Sequence, residues 1–325
     1  MMTDIIIPVY KPDEKLVQLF EGLSNQTVRP DNIILMYTVL SEKDSISPHL
    51  VELGQKASEL SVYEVTEDEF DHGGTRAEAV LQSEADIVIM MTQDAVPADD
   101  KLIENLIAPF KDDSIGAVYA RQLPSGSSSP AECFTRGFNY PDESVTKGKD
   151  DIEKMGIKAF FCSNVCAAYR RDIYEELGGF IDRTIFNEDM IYAHKLIMNG
   201  YKIRYAADAR VIHTHEYTAM QQLHRNFDLA VSQADHPEVF GGISSESEGK
   251  KYVSAAYGYF KKINSGYLII PFIWGCCFRY LGYKLGKNYK KLPMKTVRAI
   301  SMNKRYWTKE TEGPKGEENV GDQQQ

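Results

Sequence analysis

The chain has 325 residues, 43% of them hydrophobic and 26% charged, the balance of a soluble globular protein with room for one large α/β domain and an appended segment. Its net charge of −10 is unevenly spread: Lys261 to Thr308 holds eleven Lys/Arg and no Asp or Glu, so the remainder, with 26 basic and 47 acidic residues, stands at −21. The acidic body excludes nucleic acid as a partner, while the cationic end suits an anionic membrane face.

Asp4 to Tyr10 is a short apolar, β-branched run closed by Pro8, which predicts a buried parallel strand rather than a signal peptide. Residues 13–25 carry Leu16, Leu19, Phe20 and Leu23 at helical spacing, and Asn32 to Tyr37 is a second strand. Val62 to Val65 is a third, shorter strand, Thr75 to Ser83 a helix, and Ala85 to Met91 the strongest strand in the chain. This alternation predicts a doubly wound α/β sheet, which binds ligands beyond the carboxyl ends of its strands. Ile115 to Ala120 and Lys158 to Cys162 are further strand candidates, separated by a loop at Pro124 to Pro130. Arg171 to Leu177 is a short helix ended by Gly178-Gly179. Asn187 is placed to cap a helix that carries Met190, Ala193 and Ile197 and stops at Gly200. Tyr201–Tyr205 and Arg210–Ile212 are expected as strands, and the polar tail 309–325 as disordered. Five cysteines, an odd number, fit a reducing compartment better than a disulfide framework.

Four places carry chemistry. Asp94 follows the strongest strand, where a carboxylate can hold a divalent metal on a diphosphate or, alternatively, cap a helix at Ala98-Asp99. Glu188 and Asp189 lie in a first helical turn, which keeps a carboxylate ionised as a base or simply complements the helix dipole. His213 and His215 end a strand and point to one face, with imidazole nitrogens suited to metal. Phe70 to Arg76 is a Gly-containing turn whose amides and Arg76 could hold phosphate, though it matches neither a P-loop nor a Rossmann fingerprint.

Taken in order, strand-Pro8-Val9-Tyr10, Gly73-Gly74-Thr75-Arg76, strand-Thr92-Gln93-Asp94, Gly178-Gly179-Phe180, Asn187-Glu188-Asp189 and strand-His213 resemble the family 2 glycosyltransferases over residues 4–216. The resemblance implies a GT-A type, doubly wound mixed α/β sheet. It gives Pro8, Val9, Tyr10, Arg76 and Gln93 to the nucleotide, and Asp94 with His213 to Mg2+ or Mn2+. Asp189 becomes the base, with Glu188 beside it, and Asn164, His215 and Arg121 go to the donor or acceptor sugars. Phe70 to Arg76, Thr92 to Ala95, Arg121-Gln122, Phe138 to Pro141, Ser163-Asn164 and His213 to Thr218 look like the rhamnosyltransferase branch, which implies a dTDP-rhamnose donor and inverting transfer to a lipid-linked or polysaccharide acceptor. The pattern departs from the family after the second strand, where no Asp-Asp-Gly-Ser stands. It departs again at Thr92, which replaces the first Asp of DxD. Gln222 to Asn226 lacks the Trp of processive members, which favours single transfer. A UDP-hexose donor, a nucleotidyltransferase and a non-catalytic glycan-binding module are the alternatives; the Glu188-Asp189 pair speaks against the last.

The expected organisation is a catalytic domain at 1–218, its nucleotide half 1–97 and acceptor half 98–218, then a helical region 219–308 and the tail. Tyr267 to Phe278 is an apolar block interrupted by Pro271, shorter than the ~18–20 residues of a spanning helix. With its flanking lysines it suits an interfacial helix on the cytoplasmic membrane face. Packing on the core, or on a second subunit of a homo-oligomer, is the competing reading.

Overall fold

A computed structural model describes residues 1–41, 44–241 and 246–311. The expected tail therefore lies, from residue 312 onward, outside the described residues. In chain order come β1 (Thr3–Val9), α1 (Glu14–Ser24), β2 (Asn32–Val39), α2 (Pro48–Ala57), β3 (Glu59–Thr66), α3 (Gly74–Val80) and β4 (Ile87–Met91). Next are β5 (Val96–Pro97), α4 (Leu102–Ile107), β6 (Ile115–Leu123), α5 (Pro130–Asn139), β7 (Val145–Lys147), α6 (Ile152–Met155) and β8 (Cys166–Arg170). Then follow α7 (Arg171–Glu176), α8 (Glu188–Met198) and β9 (Lys202–Ile212). The helices α9 (Ala219–Asp235), α10 (Pro237–Phe240), α11 (Glu246–Lys262), α12 (Ile269–Lys287), α13 (Met294–Ile300) and α14 (Tyr306–Thr311) complete the described chain.

One mixed sheet runs in the order β3-β2-β1-β4-β8-β6-β9-β5, with β7 also on β9. β3, β2, β1 and β4 are parallel, as are β6 and β9; β8 runs antiparallel to both β4 and β6. Alternate residues of each strand enter opposite cores. Ile5, Ile7, Ile33, Leu35, Ile87 and Ile89 meet Leu16, Leu19 and Phe20 of α1 and Leu102, Ile103 and Leu106 of α4. Ile6, Ile34, Val88 and Met90 meet Ala79 and Val80 of α3, Tyr174 of α7, and Tyr192 and Leu196 of α8. Each fully buried Ile or Leu contributes about 1.5–3 kcal/mol. That burial, rather than intrinsic propensity, holds α3 and α4, which are too short to persist alone.

The C-terminal helices fold back onto this body. Thr218 and Gln221 form a capping box at the start of α9. α12 crosses α9 so closely that a Cβ at Gly282 would stand 2.2 Å from the Leu223 carbonyl, and one at Gly286 2.3 Å from that of Phe227. Only glycine fits these two positions. Pro271 does not interrupt α12. It is the third residue of the helix, where its missing N–H has no intrahelical partner to lose. Among the described residues, no helix is long and apolar enough to cross a membrane.

The structure corrects several local expectations. Lys158–Cys162 is not a strand: Gly156–Phe160 is a 3-10 turn, and the buried Lys147 ammonium binds the carbonyls of Lys158 and Phe161. The strand that pairs beside β4 is β8 instead. The two stretches expected at Tyr201–Tyr205 and Arg210–Ile212 join in a single strand, β9, that starts at Lys202 and whose register against β6 slips between Ala120 and Arg121. Asn187 is left-handed, φ 66°, and does not cap α8; its amide donates to the Leu229 carbonyl across to α9. Asp94 caps no helix, because Val96-Pro97 forms β5.

Candidate active site

The carboxyl ends of β1, β4, β6 and β9 and the amino end of β8 meet at one edge of the sheet. The Thr92 amide donates to the Val165 carbonyl at 3.1 Å, and the His213 amide to that of Leu123 at 3.1 Å. These bonds bring residues 92–94, 163–165, 122–123 and 213–215 together although they are far apart in sequence.

Asp94, His213 and His215 form a group that can hold a metal ion, their ligand atoms all within 4.8 Å of one another. Asp94 Oδ2 lies 3.1 Å from His215 Nε2, 3.5 Å from His213 Nε2 and 3.7 Å from Lys15 Nζ. The His213 tautomer is fixed from behind. Its Nδ1 lies 3.0 Å from Gln122 Oε1, an oxygen that also accepts from Arg136, so Nδ1 carries the proton and Nε2 presents a lone pair. The Gln122 amide cannot be flipped, since Arg136 can only donate and so requires the oxygen on its side; Nε2 then donates to Ser163 Oγ at 3.1 Å. Burial pushes His213 down to about 3, so the ring is neutral, as a ligand must be. Burial opposes the charge on Asp94, but the hydrogen bond from His215, the two imidazoles beside it and the Thr92 hydroxyl together outweigh burial and hold this carboxyl well below the usual range. One carboxylate oxygen and two imidazole nitrogens are a donor set able to hold a divalent metal ion.

The second group is the carboxylate pair at the start of α8. Glu188 is buried, with Oε1 3.5 Å from Arg76 Nη1 and 3.2 Å from Asn164 Nδ2. Arg76 also donates to the His72 carbonyl at 2.7 Å. Asp189 is partly exposed; its Oδ2 accepts from the Asn164 amide at 3.1 Å and its Oδ1 from the Met190 amide at 2.8 Å. The two acids differ in kind. Burial opposes ionisation of Glu188, but Arg76 beside it lowers its pKa. Burial and then the Glu188 charge raise that of Asp189 to about 7. Glu188 is thus a fixed anion, while Asp189 is an accessible group able to take a proton near neutrality.

The turn at 70–76 supports this pair. Asp71 Oδ1 accepts from the Gly73 and Gly74 amides at 3.0 and 2.8 Å, which occupies the N–H groups expected to hold phosphate. A Cβ at Gly73 would stand 2.4 Å from the Ile181 carbonyl, so only glycine lets the turn reach the α8 entry loop. Arg76, expected at the nucleotide, is 5% exposed and turned toward Glu188.

Pro8 and Val9 end β1, and the exposed Tyr10 follows. The Tyr10 amide donates to Gln93 Oε1 at 2.8 Å and Gln93 Nε2 donates to the Tyr10 carbonyl at 3.0 Å. Gln93 therefore clamps the Tyr10 loop to the end of β4. The Tyr10 hydroxyl donates to Glu67 Oε1 at 2.8 Å, and Glu67 Oε2 accepts from Arg305 at 2.7 Å, so a C-terminal residue reaches the loop.

Three further expectations change. His215, expected at a sugar, stands with Asp94 in the metal-capable group. The Asn164 side chain, also expected at a sugar, is buried and used internally by Glu188 and the Tyr169 hydroxyl. Arg121 alternates with Gln122 along β6 onto the other face of the sheet, and its Nε is buried without a partner. The sequence reading missed Gln122 and Arg136 as supports for His213; the adjacent pair Arg121-Gln122 was visible, but which of the two faces His213 depends on strand phase. It also found no acid beyond β2. Asp44 is there, accepting from the Tyr37 hydroxyl at 3.0 Å and the Leu40 amide at 2.8 Å.

Comparison with known proteins agrees with this geometry. Residues 4–178 match the glycosyl transferase family 2 family. The O-antigen chain rhamnosyltransferase RfbN of Salmonella typhimurium is 39% identical over 311 residues, covering 94% of this chain and 96% of its own. The O-antigen chain rhamnosyltransferase WbaN of Salmonella anatum is 36% identical over 308 residues, 93% and 95% of the two chains. Among solved structures, the mannosyltransferase PcManGT of Pyrobaculum calidifontis, in complex with GDP-Man and Mn2+, superposes with a TM-score of 0.55 at 16% identity over 95% of this chain and 83% of its own. That likeness shows the GT-A fold. The chain belongs to glycosyl transferase family 2 and is a glycosyltransferase.

Proposed function

We propose that this enzyme transfers L-rhamnose from dTDP-rhamnose, with inversion, to a sugar hydroxyl of a lipid-linked or polysaccharide acceptor at the inner membrane face. The observation that carries the transfer reading is the unequal carboxylate pair. Glu188 is held ionised by Arg76, while Asp189 is accessible, aligned by the Asn164 amide, and raised toward neutrality. The rhamnose donor rests on the two end-to-end relatives named as rhamnosyltransferases.

Asp189 takes the proton from the acceptor hydroxyl as that oxygen attacks the anomeric carbon, opposite the departing nucleoside diphosphate. Asn164 and Arg76 fix the pair, so the acceptor oxygen meets a base of defined direction. Pro8, Val9 and Tyr10 flank the nucleotide base, with Gln93 holding their loop. Mg2+ or Mn2+ held by Asp94, His213 and His215 would stabilise the charge developing on the leaving diphosphate. Lys15, 3.7 Å from Asp94, adds positive charge beside the same place.

The test is nucleoside-diphosphate release with a panel of donors and a rhamnose-accepting glycan, with and without metal. dTDP-rhamnose should be preferred over UDP-glucose and UDP-galactose. A tenfold preference for either UDP-hexose refutes the donor, and full turnover in excess EDTA refutes the metal.

A further inference from the structure

We propose that the α11–α12 hairpin is a membrane-docking surface whose occupant is an anionic phospholipid bilayer. The inference deepens the membrane location given above and does not depend on which sugar is transferred.

α12 has two unlike faces. Gly282, Gly286 and Phe272 face inward, the glycines against α9 and the Phe272 ring packed among those of Phe134, Tyr252 and Phe260. The other face presents Ile270, Ile273, Trp274, Cys277 and Leu281, at steps of three and four residues, to the exterior. Ile270 is 80% exposed, Trp274 62%, and Tyr267 just before the helix 76%. Tyr257 and Ile263 of the neighbouring arm are exposed as well. A crevice of about 190 Å³ between the arms is lined by Val253, Ala256, Tyr257, Phe260, Ile269 and Ile273 and has room for the end of a hydrocarbon chain.

The charge around this face selects the occupant. Lys261 and Lys262 end α11, and Lys284, Lys291 and Lys295 follow the apolar stripe, all exposed, while Lys290 pairs with Asp235 at 3.0 Å. No Asp or Glu lies between Lys261 and Thr308. A symmetric dimer through the stripe would set this basic patch against its own copy, a like-charge contact. An anionic headgroup layer instead neutralises the lysines while Ile270, Trp274 and Tyr267 enter the acyl boundary. The helix is 19 residues long yet not apolar enough to span, as expected of a helix lying in the interface plane.

Docking there would orient the active site. α12 forms one wall of a groove through Pro271, Phe272, Gly275, Cys276 and Arg279; Glu216 and Tyr217, next to His215, line its other side. The His215 and Tyr217 rings stack at 5.4 Å. A groove leading from the headgroup layer to the metal-capable group suits an acceptor sugar carried on a lipid.

The experiment is flotation of the full chain with vesicles of phosphatidylcholine, with and without phosphatidylglycerol, at low and high salt. The native chain should float with the anionic vesicles only, and less at high salt. Ile270→Glu/Trp274→Glu should lower partition at least about tenfold while leaving the melting curve and donor-dependent diphosphate release in solution unchanged. A charge-removing set, Lys261→Gln/Lys262→Gln/Lys284→Gln, should weaken anionic binding without touching the apolar stripe. Failure of the native chain to float, or equal flotation of native and Ile270→Glu/Trp274→Glu proteins, overturns the inference. So does a native dimer, seen by sedimentation, that the double substitution splits while vesicles bind neither form. Because diphosphate release is read separately, a failed flotation leaves the transferase reading intact, and a failed transferase assay leaves docking intact.

Discussion

Arg76→Met tests the linkage between the buried ion pair and Asp189, the proposed base. Arg76 and Glu188 are 3.5 Å apart, with side chains only 6% and 10% exposed. Removing one partner of such a pair costs about 3–5 kcal/mol, because the other charge is left buried. The His72 carbonyl also loses its donor, adding on the order of 1 kcal/mol. Glu188 can escape the first cost by taking up a proton. From a usual carboxylate value near 4.3, that route costs about 4 kcal/mol at pH 7 and falls by about 1.4 kcal/mol for each unit of acidification. The variant should therefore lose roughly 4–5 kcal/mol at neutral pH and clearly less in mild acid. The sign follows from linkage: with Arg76 gone the folded pKa of Glu188 lies above its unfolded value, so stability is retained at low pH and lost as pH rises toward that folded value. Adding Glu188→Gln should restore most of the loss, since Gln keeps an acceptor for Asn164 without the charge. In the double variant Asp189 no longer feels an ionised neighbour, and this outweighs the smaller loss of Arg76, so its pKa should fall below about 7 and the acid limb of the rate profile should move to lower pH. Urea unfolding across pH, with rate profiles alongside, measures all of this. A loss in Arg76→Met under about 1 kcal/mol, a loss independent of pH, or a double variant no more stable than the single would refute the reasoning.

Asp189→Asn should reduce turnover by about 10²–10⁴-fold with donor binding little changed; if Glu188→Gln is the more damaging change in single-turnover assays, the roles are reversed. Gln122→Leu removes the acceptor that fixes His213 and should weaken metal affinity by about 10–100-fold, read by titration of nucleotide binding with Mn2+; unchanged affinity would show that the tautomer is set elsewhere. Asp228 Oδ2 accepts from the Met302 and Asn303 amides, each at 2.9 Å, and so anchors the segment before Arg305. Asp228→Ala should destabilise that segment by about 1–3 kcal/mol, seen as faster amide exchange at 302–308, whereas Asp228→Asn should preserve it. Equal exchange in the two variants would contradict the anchor.

The parallel half of the sheet was legible because β1, β2 and β4 are buried on both faces and spell uninterrupted Ile, Val, Leu and Met. β8 was not, since Cys166-Ala167-Ala168-Tyr169-Arg170 lacks β-branched residues and is defined by pairing with β4 and β6. β9 looked like two strands because the slip against β6 falls at Ala207-Asp208-Ala209, where no large apolar residue marks the pattern. α5 escaped notice behind a Ser-rich loop, although Ser129 caps it. At the site, Asp94, His213, Glu188 and Asp189 could be picked out from strand ends and a helix start. The partners that decide their chemistry could not, because Arg76–Glu188 and Gln122–His213 join residues about a hundred positions apart, and sheet order sets those contacts.

The position of β8 also governs when the enzyme can come into being on the ribosome. β6 is synthesised before β8, yet β8 must slot between β4 and β6. Until it does, the emerging chain holds the ribbon β3-β2-β1-β4 and an unpaired β6, and Ile87–Met91 has no neighbour on one side. Such edges attract other strands, so this interval is when a nascent chain is most exposed to mispairing and most dependent on shielding. The same strand brings Asn164 to the edge where Asp94 already waits. Fragments that end before residue 188 keep Asn164 but lack the carboxylate pair that it aligns.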